Sequence, residues 1–250
     1  MIRVFSQNLC SWGAGENAIP ERTTRFSKLM ELYAPDIIGV QEATPAWREY
    51  LYANMSGYDH IGLPRQEGQK GESCDIFWNI ERYVLLSGGT RWLSKTPNVI
   101  SKLDESKHYR VFTWAVLKKL DEGKQLLVCN VHTDFITQEV CLEQLKLMVA
   151  FAEEFGLPTV FLGDMNMERH HTGYAWMCDI LEDTFLTATV KECTEIKTSH
   201  DFGIKAKDCD YIFVNSGLCA KKHRVAAEKI DGQFVSDHYG VLAELTFAEG

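Results

Sequence analysis

Short apolar runs alternate along the chain with longer segments in which apolar residues recur every three or four positions. The runs predict strands over 2–9, 36–40, 125–131, 159–162 and 210–214, because a few apolar residues bounded by turn residues are typical of buried strands. The longer segments predict helices that begin at Pro20 and Pro45, and helices over 137–155 and 174–181.

The middle of the chain, residues 58–127, is predicted to be rich in strands. Apolar and β-branched residues fill 74–80, 83–94 and 111–120, and residues 121–124 have the composition of a hairpin turn. The last third is expected to return to strands over 224–228 and 239–247. Because strands and helices are interleaved without a Pro/Gly/Ser-rich linker, we predict one domain over residues 1–250.

Polar residues recur where the predicted strands end. Strand ends at one edge of a sheet lie close together, so carboxylates gathered there repel each other unless a cation or a proton lies among them. Carboxylate and amide oxygens without thiolates favour a hard ion, Mg²⁺ or Mn²⁺, over zinc. The residues concerned are Asn8, Glu42, His132, Asp134, Asp164, Asn166, Asp210, Asp237 and His238.

The segment Gly163-Asp164-Met165-Asn166 is central to this pattern. If the segment were extended, Asp164 and Asn166 would face the same side, where a carboxylate and an amide could orient one water molecule. Taken alone, however, the tetrapeptide is more typical of a turn, since Gly, Asp and Asn are the ordinary residues of turns. Only the other polar strand ends make a catalytic loop the better interpretation.

Composition and charge limit the kind of binding partner and the cellular compartment that we expect for this chain. The chain of 250 residues has a net charge of −9, which argues against a broad cationic surface for nucleic acid. Eight scattered cysteines without a Cys-x-x-Cys pair predict free, buried thiols. No leader pattern or membrane-spanning apolar run is evident, so we expect a cytoplasmic protein, by default a monomer.

The polar segments, taken in order, resemble the endonuclease/exonuclease/phosphatase superfamily, whose fold is similar to that of deoxyribonuclease I. The resemblance implies a four-layer α/β sandwich, with two mixed β-sheets packed face to face, helices on the outside, and the site at one edge. The matching segments are Gln7-Asn8-Leu9, Gln41-Glu42, Asn130-Val131-His132-Thr133-Asp134, Gly163-Asp164-Met165-Asn166, Asp210-Tyr211-Ile212-Phe213 and Ser236-Asp237-His238.

The resemblance also implies which residues hold the metal and the attacking water. Glu42 would ligate the divalent ion, with Asn8 and Asp237 near it, directly or through water. Asp164 would orient or deprotonate the water, and Asn166 would hold that water and a phosphoryl oxygen. These roles agree with the chemistry expected of gathered oxygen ligands.

Further roles are implied around the phosphate. Asp210 would pair with His238 and fix its tautomer, while His132 would approach the non-bridging oxygens from the other side. Arg110 matches a phosphate-binding position, and a structural ion pair is the alternative there. Asp134 would contact the substrate or cap the loop before the helix at 137.

The function expected is metal-dependent hydrolysis of phosphoric esters by in-line attack of water. The acidic charge favours a small-molecule or lipid-headgroup ester, and Leu162 and Tyr211 disfavour the inositol-polyphosphate phosphatases. A DNA or RNA nuclease is the alternative, which would need a basic rim (Lys205, Lys207 and 221–224) and an aromatic residue, Trp12 or Trp92, to stack on bases. A non-catalytic binding module is disfavoured, because no expected site residue is missing.

Overall fold

A computed structural model of the protein describes residues 1–68 and 71–249. Its helices are α1 (Ile19–Tyr33), α2 (Pro45–Asn54), α3 (Gln138–Glu153), α4 (Thr172–Ile180) and the short α5 (Thr184–Thr187). Two 3₁₀ turns lie at Gly15–Asn17 and Asp201–Gly203. Within the described ranges, no helix combines the length and the apolar character that crossing a bilayer requires.

The strands form a seven-stranded and a six-stranded sheet. In chain order they are β1 (Ile2–Asn8), β2 (Ile37–Ala43), β3 (Tyr58–Ile61), β4 (Ser73–Asn79), β5 (Tyr83–Trp92), β6 (Val111–Lys119), β7 (Gln125–His132), β8 (Thr159–Asp164), β9 (Glu182–Asp183), β10 (Val190–Glu192), β11 (Asp210–Val214), β12 (Leu218–Ala226) and β13 (Gly240–Phe247). The strand orders are β10-β12-β13-β1-β2-β4-β3 and β5-β6-β7-β8-β11-β9. Both sheets contain parallel and antiparallel pairs.

Alternating side chains along the strands divide the core into three apolar layers. On β8, Val160 and Leu162 pack between the sheets, while Phe161 packs with the apolar face of α3. On β1, Val4 faces the other sheet and Phe5 faces α1 and α2. Helices therefore cover the outer face of each sheet, which confirms the predicted four-layer α/β sandwich.

Most predicted elements are observed, and the clearest error concerns β12. The strand predicted over 224–228 covers Leu218–Ala226, so the basic segment 221–224 lies inside a strand and not in a loop. His223 is buried there, while Lys222 and Arg224 pair with Glu192 on β10 at 2.7 and 2.5 Å. The charged residues mask the alternation of apolar and polar side chains along this strand, and a register shift between Ala220 and Lys222 interrupts it further. Sequence patterns also missed β3, β9, β10 and α5, which are all short.

Strand direction gathers the predicted polar residues at one edge. β1 and β2 are parallel, as are β7 and β8, so their carboxyl ends share an edge. β11 and β13 run antiparallel to their neighbours, which places their amino ends at the same edge. Asp210 accordingly stands opposite Asp164 in the β11–β8 register, and His132 stands opposite Asp164 in the β7–β8 register.

A buried amide network joins the two sheets beneath this edge. Asn130 on β7 donates through Nδ2 to the carbonyl oxygens of Val40 and Asp75, at 2.9 and 2.8 Å, and accepts from Gln41 Nε2 at 2.7 Å. Asn130 and Gln41 are both fully buried. Asn130 belongs to the segment 130–134, which carries part of the family resemblance. The same residue also links the two sheets.

We expect Asn130→Ala to lower the free energy of unfolding by about 3 kcal/mol, because each buried polar group left unpaired costs roughly 1–3 kcal/mol. Urea denaturation followed by circular dichroism measures this loss. The matched control is Asn54→Ala at the exposed end of α2, where we expect a change below about 0.5 kcal/mol. Equal stabilities of the two variants would show that the link between the sheets is dispensable.

Candidate active site

Asn8, at the end of β1, lies between two carboxylates and links the sheets across the site. Its Nδ2 donates to Glu42 Oε1 at 3.1 Å and to Asp164 Oδ2 at 2.9 Å. Its Oδ1 accepts from the backbone nitrogen of Cys10 at 2.9 Å, so the amide nitrogen is directed at the carboxylates. Asn8 therefore positions Glu42 and Asp164, and its contact with a metal ion stays a prediction.

Glu42 is turned into the site by an irregularity in β2. The β2–β4 register shifts between Val40 and Ala43, and Glu42 has a left-handed φ of 57°. Such bulges and strained residues are common where a sheet presents a functional side chain. Burial favours the neutral acid, but hydrogen bonds from Ser11 and Asn8 outweigh it and lower the pKa of Glu42. Glu42 is therefore an ionised carboxylate at neutral pH.

Asp164 and Asn166 form a turn, the structure that the tetrapeptide alone favours, and not an extended segment. Asp164 Oδ1 accepts from the Asn166 backbone nitrogen at 2.9 Å, and Asn166 has a φ of 44°. The Asn166 side chain donates to the Thr133 carbonyl oxygen at 3.0 Å, which ties the turn to β7. Gly163 precedes it with a φ of 139°, and a Cβ there would stand 2.0 Å from the Val131 carbonyl oxygen. Only glycine allows this approach of β7 and β8.

His238, which is half-buried, and the buried Asp210 form a hydrogen-bonded pair, as the family resemblance implied. His238 Nδ1 donates to Asp210 Oδ2 at 2.8 Å, and Gln7 Nε2 donates to the His238 carbonyl oxygen at 2.9 Å. Burial lowers the pKa of His238, but the charge of Asp210 and its hydrogen bond outweigh burial and raise it far above the ordinary value. Nε2 of an imidazolium is then free to donate to a bound anion.

His132 differs from His238 in its charge state, because its pKa is lowered and not raised. It is buried, and its Nε2 lies 3.5 Å from Asp164 Oδ2. Burial, followed by the charges of Arg110 and Arg65, lowers its pKa well below the ordinary value, so His132 is neutral. Asp164 differs again, because burial and the charge of Asp210 raise its pKa and make it a better proton acceptor near neutral pH. Environments that separate the charge states of neighbouring groups are typical of acid–base sites.

Two arginines share a glutamate beside His132. Arg110 is buried, with Nη1 3.9 Å from Glu72 Oε2, and Arg65 Nη1 lies 2.9 Å from the same oxygen. The structural ion pair considered for Arg110 is therefore present. Within the described ranges, however, Arg110 Nε has no hydrogen-bond partner. Arg65, Glu72 and Arg110 line a small cleft with Glu42 and His132.

Comparison with known proteins now identifies the family. The family model described as endonuclease/exonuclease/phosphatase family matches residues 12–238. The chain belongs to this family. Its members are phosphoesterase hydrolases, so the chain is a hydrolase of the family and the resemblance noted in the sequence is confirmed.

Solved structures agree with this assignment. A family member from Bacteroides vulgatus has 25% sequence identity and a TM-score of 0.93, and the match covers 99% of both chains. The mannosyl-6-phosphatase of Bacteroides thetaiotaomicron has 26% identity and a TM-score of 0.88, over 99% of this chain and 100% of that one. TDP2 of D. rerio, complexed with single-strand DNA product, shares the fold at 17% identity and a TM-score of 0.78, over 98% of both chains. No curated protein sequence matches this chain.

The structure shows the capping alternative for Asp134, whose Oδ1 accepts from the Ile136 backbone nitrogen at 3.1 Å just before α3. Asp134 is fully buried, and its carboxylate accepts from Ser106 Oγ and the His108 backbone nitrogen, both at 2.7 Å. It therefore fixes the segment that leads to Arg110, and its direct contact with substrate stays a prediction. Trp92 is buried and donates from Nε1 to the Arg65 carbonyl oxygen at 3.0 Å. It is therefore not available to stack on a nucleic-acid base, the role considered for it under the nuclease alternative.

The donor set fits a hard divalent cation. Glu42 and Asp237 are close enough to interact: burial and then the charge of Glu42 act to raise the pKa of Asp237. A cation between these carboxylates would relieve that repulsion. Asp210 Oδ1 is buried and has no hydrogen-bond partner in the part of the chain that the structure describes, so acceptor capacity is in surplus here. Members of the family generally depend on a divalent metal, and the oxygen donors suit Mg²⁺ or Mn²⁺.

Arg65 and Glu72 were missed by the sequence analysis. They lie in an irregular segment between β3 and β4, where no periodic pattern singles out a charged residue. Trp92 donates a hydrogen bond to the Arg65 carbonyl oxygen, but it lies in a different segment of the chain and does not point to Arg65 from the sequence. Such a contact becomes visible only when the fold brings β5 beside this segment.

Proposed function

We propose that the protein is a divalent-metal-dependent hydrolase of small phosphoric esters, in which a water molecule activated by Asp164 attacks phosphorus in line. The observation that supports this proposal most is the convergence of Asp164 with a charged and a neutral histidine. Asp164 is held by Asn8 from one sheet and by the Asn166 turn from the other, which fixes the direction of its carboxylate. A fixed, desolvated carboxylate of raised pKa is suited to accept a proton from water.

The groups around Asp164 are suited to a phosphoryl group. His238 Nε2–H and the unpaired Nε–H of Arg110 would donate to the oxygens that gain charge in the transition state. Neutral His132 would add a donor without adding charge. Glu42, with Asp237 beside it, would hold the metal ion, which when bound neutralises charge on the phosphoryl and leaving oxygens.

A small substrate is supported by the surface charges. Three of the basic residues that could have formed a nucleic-acid rim are paired: Lys205 with Asp201 at 2.9 Å, and Lys222 and Arg224 with Glu192. Neutralised lysines release few counterions from a polyanion, so little affinity for nucleic acid is expected from them. Similarity to a mannosyl-6-phosphatase favours a sugar phosphate as the ester. We expect a cytoplasmic monomer.

The test is hydrolysis of mannose 6-phosphate, p-nitrophenyl phosphate and bis-p-nitrophenyl phosphate with Mg²⁺, Mn²⁺ or EDTA. We expect metal-dependent release of phosphate from the monoesters and little turnover of the diester. Preference for the diester would contradict the monoester proposal and favour the nuclease alternative. Turnover that persists in EDTA would contradict the metal requirement.

Glu42→Gln tests the metal site directly. Removing its charge is expected to raise the Mg²⁺ concentration for half-maximal activity by about tenfold or more, an effect of the size measured when metal-site partners are lost. Titration of activity with Mg²⁺ measures it. Glu49→Gln, an exposed substitution on α2, is the matched control and should leave the titration unchanged. An unchanged titration in Glu42→Gln would place the metal elsewhere.

A further inference from the structure

An exposed aromatic surface borders the metal side of the site. Trp12 is 56% exposed, and its ring meets that of Phe202 edge to face at 5.6 Å between centroids. Ile204, two residues beyond Phe202, is 80% exposed. We call Trp12, Phe202 and Ile204 the aromatic wall. Trp12 and Ile204 are exposed, whereas Phe202 is half-buried. Large apolar side chains exposed near a polar cleft mark surfaces that bind ligands.

The Trp12 side of the wall is fixed to the candidate metal ligand Glu42. The backbone nitrogen of Ser11, one residue before Trp12, donates to Glu42 Oε2 at 2.7 Å. The buried guanidinium of Arg22 donates to the Trp12 carbonyl oxygen at 2.8 Å and to the Cys10 carbonyl oxygen at 2.9 Å. The loop that carries the Trp12 ring is thus held on both sides, although the ring itself faces solvent.

The Phe202 side of the wall is fixed to the other candidate ligand, Asp237. The backbone nitrogens of His200 and Asp201 donate to the Asp237 carbonyl oxygen at 2.9 and 3.0 Å. Asp201 and Phe202 both have left-handed φ values, 49° and 52°. Two successive strained residues that are not glycine persist only where surrounding contacts enforce them, and such strain concentrates at functional sites.

Backbone hydrogen bonds therefore join both sides of the aromatic wall to the candidate metal ligands Glu42 and Asp237. Resting on the proposed function, we propose that the wall binds a ring in the alcohol part of a phosphate monoester, with the flat face of that ring on Trp12. An indole ring stacks on a sugar or a nucleobase because both have a face without charge, and it gains little from an acyclic chain. A sugar and a nucleobase both supply such a ring, and the experiment below distinguishes between them.

The experiment compares kcat/KM for mannose 6-phosphate, adenosine 5′-monophosphate and glycerol 3-phosphate, in wild type and in Trp12→Ala. For a ring substrate we expect Trp12→Ala to lower kcat/KM by roughly tenfold, the loss typical of one stacked ring, with little change for glycerol 3-phosphate. The ring substrate with the larger loss identifies the source as sugar or base. Equal losses for ring and acyclic substrates, or no loss at all, would overturn the proposal.

Three further variants distinguish loss of a stacked ring from misfolding and from loss of an exposed apolar side chain. Trp12→Phe retains a flat ring and should recover most of the lost kcat/KM, whereas Trp12→Leu retains apolar volume and should not. Leu32→Ala, which removes an apolar side chain that is 59% exposed on α1, should leave all three substrates unaffected. Equal rescue by phenylalanine and leucine would show that the wall supplies apolar area and not a stacking face.

Binding separates this proposal from the proposed function. Isothermal titration of Asp164→Asn with mannose 6-phosphate, adenosine 5′-monophosphate or inorganic phosphate measures affinity without turnover. If wild type hydrolyses none of the esters but Asp164→Asn binds a ring phosphate more tightly than inorganic phosphate, and Trp12→Ala removes that preference, the wall proposal holds and the hydrolase proposal fails. If the esters are hydrolysed but no variant shows a ring preference, the wall proposal fails and the hydrolase proposal holds.

Discussion

Asp164→Asn is expected to reduce kcat by about 1,000-fold, in the middle of the range for losing a positioned general base. An amide has nearly the same shape as a carboxylate, so the turn at Asn166 can keep its hydrogen bond from the Asn166 backbone nitrogen. The amide cannot accept a proton from water near neutral pH. The measurement is kcat on the best monoester at saturating Mg²⁺, with KM and the melting temperature of the variant recorded beside it.

The control for Asp164→Asn is Asp59→Asn on β3. The Asp59 side chain is exposed and accepts only from the His60 backbone nitrogen, so kcat should stay within about twofold of wild type, as for surface substitutions generally. If a folded Asp164→Asn protein keeps the wild-type kcat, another group activates the water. Asp210 or Asp237 would then be the candidate for that group.

The layers of the fold could be predicted because its buried strands carry their signal locally. Residues 159–162 form an apolar run whether or not the second sheet is known, and the helix over 137–155 repeats its apolar face for four turns. The basic residues of β12 give no such local signal, since Lys222 and Arg224 pair with Glu192 on a different strand, β10. A strand whose charges are neutralised by tertiary contacts cannot be recognised from its own residues.

The same distinction applies to the site. Asp164, Asp210 and His238 stand beside strands that fix their place, so sequence order and strand direction together predict that they meet. Asp164 and Asn166 show the limit, because the left-handed turn depends on the Thr133 carbonyl oxygen of another strand. The charge states of the two histidines depend on burial and on Asp210 and Arg110, which no local pattern specifies.

Asp210→Asn is expected to move the whole pH profile of activity to lower pH. The charge of Asp210 raises the pKa of His238 against burial, so the imidazolium persists below that raised pKa and is lost as pH rises through it. The same charge, after burial, raises the pKa of Asp164, which must lose its proton to act as a base. Removing Asp210's charge therefore lowers both pKa values, and the acidic and alkaline limbs shift in the same direction.

The size of the shift follows from the interaction between neighbouring charges, which is typically one to three pKa units. A change of about three pKa units would lower the pKa of His238 from about 10 to roughly 7, so at pH 8 we expect kcat of Asp210→Asn to be about tenfold below wild type, with a smaller deficit at pH 6. The matched control is Asp183→Asn, another buried carboxylate, which pairs with Arg169 at 3.0 Å and does not touch the site. It should lower stability but leave both limbs in place. If Asp210→Asn loses activity equally at every pH, Asp210 orients His238 without setting its charge, and the imidazolium has no part in the reaction.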